Sequence, residues 1–170
     1  MADEFQAKPQ SPAWSLESDF ATREGRGYVL NIGAGKGPIE ADVNCDPLVP
    51  RDVVCVGEAL PFRTGCFDSA IVFSVLDHVI DDVQVLKEAK RVLKQGGRLL
   101  LMQAIYGYGM FRYMVRHPRW SDEFHMRHYW TQFSLRFKLW RGGLRVASYV
   151  ENTVGENLMS KVAFVVAESR

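Results

Sequence analysis

The sequence predicts an α/β fold: a mostly parallel sheet with flanking helices, ending in an antiparallel C-terminal edge. Three observations support this. Short runs such as "YVLNI" and "SAIVFSV" are apolar throughout rather than alternating, the pattern of strands covered on both faces. An amphipathic segment, "DDVQVLKEAKRVLKQGG", lies between two such runs, where a parallel pair needs its crossover. Two further strand-like runs end the chain and read as an antiparallel pair. At 170 residues, 47% hydrophobic and 24% charged, the chain has the size and composition of one globular domain with its own core.

The elements follow in order. Residues 1–24 read as a polar tail and a leading helix, in which Ser11-Pro12 supplies an N-cap and first helical residue and Ala13, Leu16 and Phe20 recur at helical spacing. Residues 25–170 read as a single domain. Its strands are expected at Tyr28–Ile32, Ala41–Cys45, Asp52–Val56, Ser69–Val75 and Arg98–Gln103. The crossover helix before the last of these carries a stripe of Val83, Leu86, Ala89 and Leu93, with Gly96 or Gly97 as its C-terminal cap. A later helix spans about Thr131–Trp140, closed by Gly142-Gly143, and the final strands are Leu144–Val150 and Lys161–Ala167. Only eight residues separate Ile32 from Ala41, too few for a helical crossover, so the early helices are expected to shrink to turns. The face left bare would be covered by the leading helix or by a second copy in a homodimer.

Composition excludes several classes. With a formal net charge of +1, no overall field draws the chain to nucleic acid or to an acidic membrane. Cys45, Cys55 and Cys66 are odd in number and form no C-x-x-C pair, which suits reduced core thiols in a cytoplasmic protein. The longest apolar run, Leu99 to Phe111, is broken by Gln103 and two glycines and is too short to span a bilayer. The first residues are polar and lack a signal-peptide core. His125 and His128 form an H-x-x-H, but no Glu lies between them at metalloprotease spacing, so no metal is expected.

The stretch "VLNIGAGKGP" places three alternate glycines directly after a strand. A phosphate-binding P-loop fails here, because Leu30 and Gly37 stand where it needs Gly and Ser or Thr. The dinucleotide fingerprint fails at Pro38, which argues against a nicotinamide-dependent oxidoreductase. What remains is a strand and a G-x-G-x-G turn, a general signal for a nucleoside-type ligand.

Further residues sharpen it. "VLNIGAGKGP", "VNCDP", "VCVGEALPFRTGCFDSAIVFSVLDHV" and "EAKRVLKQGGRLLLM", in that order over about Tyr28–Met102, resemble the Rossmann-like class I S-adenosylmethionine-dependent methyltransferases of small molecules, in a compact branch. The resemblance implies that S-adenosylmethionine is the cofactor, held by backbone groups around Gly33, Ala34 and Gly35. It implies that Asp46 accepts from the ribose hydroxyls; the alternative is that Asp46 simply starts a turn before Pro47. Gly57, Glu58 and Ala59 would offer backbone groups to adenine and Leu60 would pack on its face, although Val56 stands where the family carries an acid. Ser74, Leu76, Asp77 and His78 would line the cofactor and face the acceptor. His78 and His128, with His125 and the lid tyrosines, are candidate bases, and a structural role is the alternative for His78.

The family places its acceptor-binding lid after the fifth strand, here about residues 105–130. That segment interleaves Tyr106, Tyr108, Phe111, Tyr113, Trp120, Tyr129 and Trp130 with Arg112, Arg116, Arg119 and Arg127. Its arginines suit a small-molecule methyl acceptor bearing a carboxylate or phosphate. Contact with single-stranded nucleic acid, contact with a membrane surface and plain packing over the sheet edge are the competing readings. A catalytically silent partner in a larger assembly is the rival to an enzyme.

Overall fold

The computed structural model describes residues 12–106, 127–153 and 160–169. Among these, six strands form one sheet in the order β2-β1-β3-β4-β6-β5. Its parallel half contains β1 (Val29–Ile32), β2 (Val43–Cys45), β3 (Phe67–Phe73) and β4 (Leu93–Tyr106). The antiparallel edge is β5 (Leu144–Thr153) and β6 (Ser160–Ser169), with β6 paired to β4. Leu30, Ile32, Ala70, Val72, Leu99 and Leu101 pack one face of the sheet against α2 (Asp82–Val92) and α3 (Gln132–Arg141).

The opposite face of the sheet centre is covered by α1 (Pro12–Glu24). Phe20 and Ala21 sit on Ile71, Phe73, Leu100, Met102, Phe164 and Val166. The Phe20 ring meets Phe164 edge-on at 5.1 Å between centroids and stacks on Phe73 at 5.8 Å. The leading helix therefore takes the covering role on this face. Because Phe20 is the anchor, Phe20→Ala is expected to cost about 3 kcal/mol of stability, read as a lower midpoint in urea unfolding. An unchanged midpoint would mean that α1 is not part of the cooperative core.

Two expected elements are corrected. Residues 52–56 form no strand; their ladder pairing with β2 is one isolated parallel bridge, Cys45 to Val53, beside which Asp52 Oδ2 accepts from the Asn44 N–H at 2.8 Å. Asp46 turns the chain back so that Asp52 and Val53 come alongside β2, and among the described residues no strand pairs on the outer side, where Val54 is 70% exposed. The β-branched run is overruled by lack of a partner. Nor do Gly96 and Gly97 cap α2: the helix stops at Leu93, whose extended backbone donates its N–H to Ala89. Pairing of Leu93 with Phe67 and its burial in the core pull it out of the helix. Gly96, at φ +73°, instead lies within β4, in the irregular stretch where pairing with β3 jumps from Leu93 to Arg98.

Other expectations hold with shifted ends. The third parallel strand starts two residues earlier and ends before Ser74, which adopts a left-handed φ of +52°. Asp81 caps α2 by accepting from the Gln84 N–H, and Val83, Leu86 and Ala89 are buried as the stripe requires. Thr131 and Ser134 form a reciprocal capping box on α3, while Gly142 caps its other end. All three cysteines are free.

Candidate functional site

The glycine loop leaves β1 and is fastened to the end of β2. Gly33 and Ala34 both donate their N–H to the Cys45 carbonyl, at 2.9 and 3.0 Å, and Gly35 donates to Asp46 Oδ2 at 2.9 Å. The second Asp46 oxygen accepts from Leu48 and Val49, each at 2.8 Å. Arg51 completes the clasp through its Nε to the Gly35 carbonyl at 2.7 Å. Burial opposes the charge on Asp46, but the N–H groups of Val49, Leu48 and Gly35 and the Arg51 cation outweigh it and hold the carboxyl below the usual carboxylate range.

This arrangement corrects one expectation. The N–H groups of residues 33–35 are engaged within the protein rather than presented to a ligand. Asp46 does make the turn before Pro47, using both oxygens. A carboxylate has about four acceptor positions, so three bonds leave one lone pair for a further donor.

Beside the clasp lies a cavity of about 410 Å³, within the range of small-molecule sites. Of the expected residues, Gly33, Asp46, Gly57, Glu58, Ser74 and His78 line it. Gly33 has φ +69°, and a Cβ there would stand 2.5 Å from Val75 Cγ2, so the floor requires glycine. Glu58 is held on the far wall by accepting from the Ile80 N–H at 3.0 Å. Side chains on α2 brace the same wall from behind: Glu88 accepts from the Leu60 N–H, while Arg91 binds the carbonyls of Leu60 and Phe62. The donor set fits a nucleoside cofactor: a floor without Cβ, one spare carboxylate position and apolar walls from Ile32, Val56 and Ile80.

Five expected residues fall elsewhere. Ala34 and Gly35 belong to the clasp, and Ala59 closes a turn onto Val56. Leu60 is 5% exposed and packs into the main core, so its side chain is not a face for adenine. His128 is tied to structure, with Nε2 3.0 Å from the Val79 carbonyl and Nδ1 3.4 Å from Asp82. His78 does line the cavity, with Nε2 3.7 Å from Asp77 Oδ1.

Most of the expected lid, 107–126 with His125 and its arginines, lies outside the described residues. At its ends the structure is definite. Arg127 lines the cavity, and its N–H reaches the Asp77 carbonyl at 2.6 Å. Tyr106 is pushed well above the usual phenol range by burial, reinforced by the charge of Asp77 and by Tyr129, so its hydroxyl stays protonated. Trp130 is fully buried in the main core, as the packing reading requires for this residue. Asp77 Oδ1, both amide atoms of Gln103 and Trp130 Nε1 are buried with no hydrogen-bond partner among the described residues.

Sequence reading missed Arg51 and Gln103, whereas Arg127 was among the arginines it singled out. A lone Arg six residues after Cys45 carries no motif, and Gln103 reads as a mere interruption of an apolar run. Among the described residues no cluster could hold a metal ion, and no helix is long and apolar enough to cross a membrane.

A glycine turn after β1, an acid at the end of β2 and a cavity at the carboxyl ends of the parallel strands place the site where open α/β sheets bind their ligands, and comparison with known proteins points to methyltransferases. The methyltransferase-domain family matches residues 30–101. The chain is 40% identical over 63 residues to a ubiquinone/menaquinone biosynthesis C-methyltransferase, UbiE, of Geotalea uraniireducens, covering 36% of this chain and 27% of that protein. It thus spans about a quarter to a third of the curated relatives it matches most strongly. A solved S-adenosylmethionine-dependent methyltransferase from Thermotoga maritima shares the fold at TM-score 0.70 and 18% identity, covering 92% of this chain and 89% of that one. The geranyl diphosphate C-methyltransferase of Streptomyces coelicolor, solved with S-adenosyl-L-homocysteine, aligns at TM-score 0.72 and 12% identity over 92% of this chain and 79% of its own.

Proposed function

We propose that this chain transfers the methyl group of S-adenosylmethionine to a small-molecule acceptor. The supporting observation is the single cavity wall shared by Gly33, Asp46 and Glu58 on one side and Ser74, His78 and Arg127 on the other. When bound, S-adenosylmethionine supplies a sulfonium-activated methyl group. Gly33 lets it approach the backbone, Asp46 offers its remaining lone pair to a ribose hydroxyl, and the Gly57-Glu58 backbone edges the adenine. His78 removes the proton of a hydroxyl or ammonium acceptor, with Asp77 Oδ1 3.7 Å from its Nε2. Arg127 pairs with a carboxylate or phosphate on the acceptor, a reading supported by the neighbour named for geranyl diphosphate. The segment 105–130 supplies the acceptor lid.

A second reading keeps the cofactor and drops the chemistry. It is favoured by the engaged N–H groups of residues 33–35 and by Val56 at the place of the family's acid. Calorimetric titration with S-adenosylmethionine, its demethylated product and NAD, followed by transfer of labelled methyl to a metabolite pool, separates the two. Binding of the first two, with transfer reduced about a hundredfold or more in His78→Gln at unchanged cofactor affinity, is expected. Cofactor binding with no transfer would select the silent partner, and binding of neither would end both readings.

A further inference from the structure

The outer side of α3 carries a surface that the cavity does not explain. At about 100° per residue, Leu135 and Leu139 point into the core, while Phe133, Phe137 and Trp140 fall in a sector about 60° wide on the side facing away from it. They are 83%, 57% and 70% exposed. Phe137 and Trp140 lie against each other, with ring centroids 5.8 Å apart. Three large aromatics in one exposed row are not scattered surface residues; such a row marks an interaction site.

The helix itself carries only cations, although Arg136 also feels the charge of Glu151 on β5. The helix sequence QFSLRFKLWR contains no acid, and Arg136 and Arg141 flank the aromatic row on its two sides. Arg136 is anchored over the Tyr149 ring, 4.6 Å from its centroid. Beside Trp140 opens a cavity of about 380 Å³ lined by Lys90, Arg136, Arg145 and the Gly143 backbone, with no acid in its walls. Arg145 is paired to Glu168, whereas Lys90 and Arg141 make no ion pair among the described residues. In a chain whose formal net charge is only +1, this is a local concentration of cations.

We propose that α3 docks side-on to a lipid bilayer surface bearing anionic phosphate headgroups. The aromatics would enter the headgroup boundary while Arg136, Arg141 and the Lys90 cavity meet phosphates set back from it. The protruding apolar row with cations on both flanks matches the order of layers in such a surface, where hydrocarbon lies deeper than phosphate. A second copy of the chain fits worse: a two-fold contact would set these cations against one another.

Co-sedimentation of the full chain with vesicles tests this. Binding is expected to vesicles of about three parts phosphatidylcholine to one of phosphatidylglycerol, and to fall in about 1 M salt. Little is expected with phosphatidylcholine alone. Phe133→Ser with Phe137→Ser and Trp140→Ser should lower partitioning at least about tenfold. Lys90→Gln, Arg136→Gln and Arg141→Gln should each lower it roughly fivefold. Cofactor affinity, measured on the same samples, should not move, which separates this proposal from the methyl-transfer reading and reports that the variants fold. Equal binding to neutral and anionic vesicles, absence of binding, or full binding by the triple aromatic variant would overturn it. So would tighter binding of a single-stranded oligonucleotide, or a dimer in solution, abolished by the same substitutions.

Discussion

Asp46→Ala is expected to lower the free energy of unfolding by about 2 to 4 kcal/mol and to weaken S-adenosylmethionine binding at least about tenfold. The substitution leaves the Gly35, Leu48 and Val49 N–H groups without their acceptor, beside a carboxyl site only 7% exposed. Each such group costs about 1 to 3 kcal/mol, reduced where the cavity admits water. The glycine loop would lose its link to β2 on one side and keep only the Arg51 and Cys45 bonds. Asp46→Asn retains an oxygen for Leu48 and Val49 but turns its amide NH2, a donor, toward the Gly35 N–H and loses the acceptor offered to the ribose. It should fall between wild type and Ala.

The charge sets a pH dependence. The Asp46 carboxyl in the folded protein titrates below its unfolded value of about 3.9, so its contribution is fully present above that value and is lost as pH falls through the lower folded one. The stability difference between wild type and Asp46→Asn should therefore close as pH drops from about 5 to below about 3. Denaturant melts across that range check it, and a difference independent of pH would mean that the carboxylate charge is not what holds the loop.

Trp130→Ala should be more damaging still, at about 3 to 5 kcal/mol. Trp130 is fully buried among residues of the main core, and its carbonyl receives the Tyr106 N–H at 2.7 Å. Lys138, which also pairs with Asp82, lies 4.4 Å from the centroid of the indole. Truncation removes the largest fully buried side chain and leaves that cation facing a void. Trp130→Phe is the informative companion. It keeps most of the volume and deletes an indole N–H that has no hydrogen-bond partner among the described residues, so its cost should stay below about 1.5 kcal/mol. A Phe variant as unstable as the Ala variant would show that the indole nitrogen does find a partner in solution. Because Trp130 ends the segment assigned to the acceptor lid, the pair of variants also separates its packing role from any effect on acceptor use.

Much of this was legible in the sequence because it rests on local rules. Apolar runs identified buried strands, the stripe Val83, Leu86, Ala89 identified α2, and Thr131 announced the cap of α3, since side-chain period and capping chemistry are properties of adjacent residues. The glycines after β1 and the acid after β2 marked the cavity for the same reason: positive φ and a sharp strand exit are written in residue type. Gly33 and Asp46 line that cavity, as do Glu58 and His78, which only the resemblance had named. What the tertiary structure alone decided are the pairings made across the chain. The run at 52–56 is as β-branched as β3, but it lacked a second neighbour to cover it. Leu60 left the ligand for the core because Glu88 and Arg91, about thirty residues on, pull its backbone onto α2. Arg51 became part of the site only because Asp46 folds the chain back onto the glycine loop. A hydrogen bond or a buried contact needs two partners, and the sequence names each one without their distance.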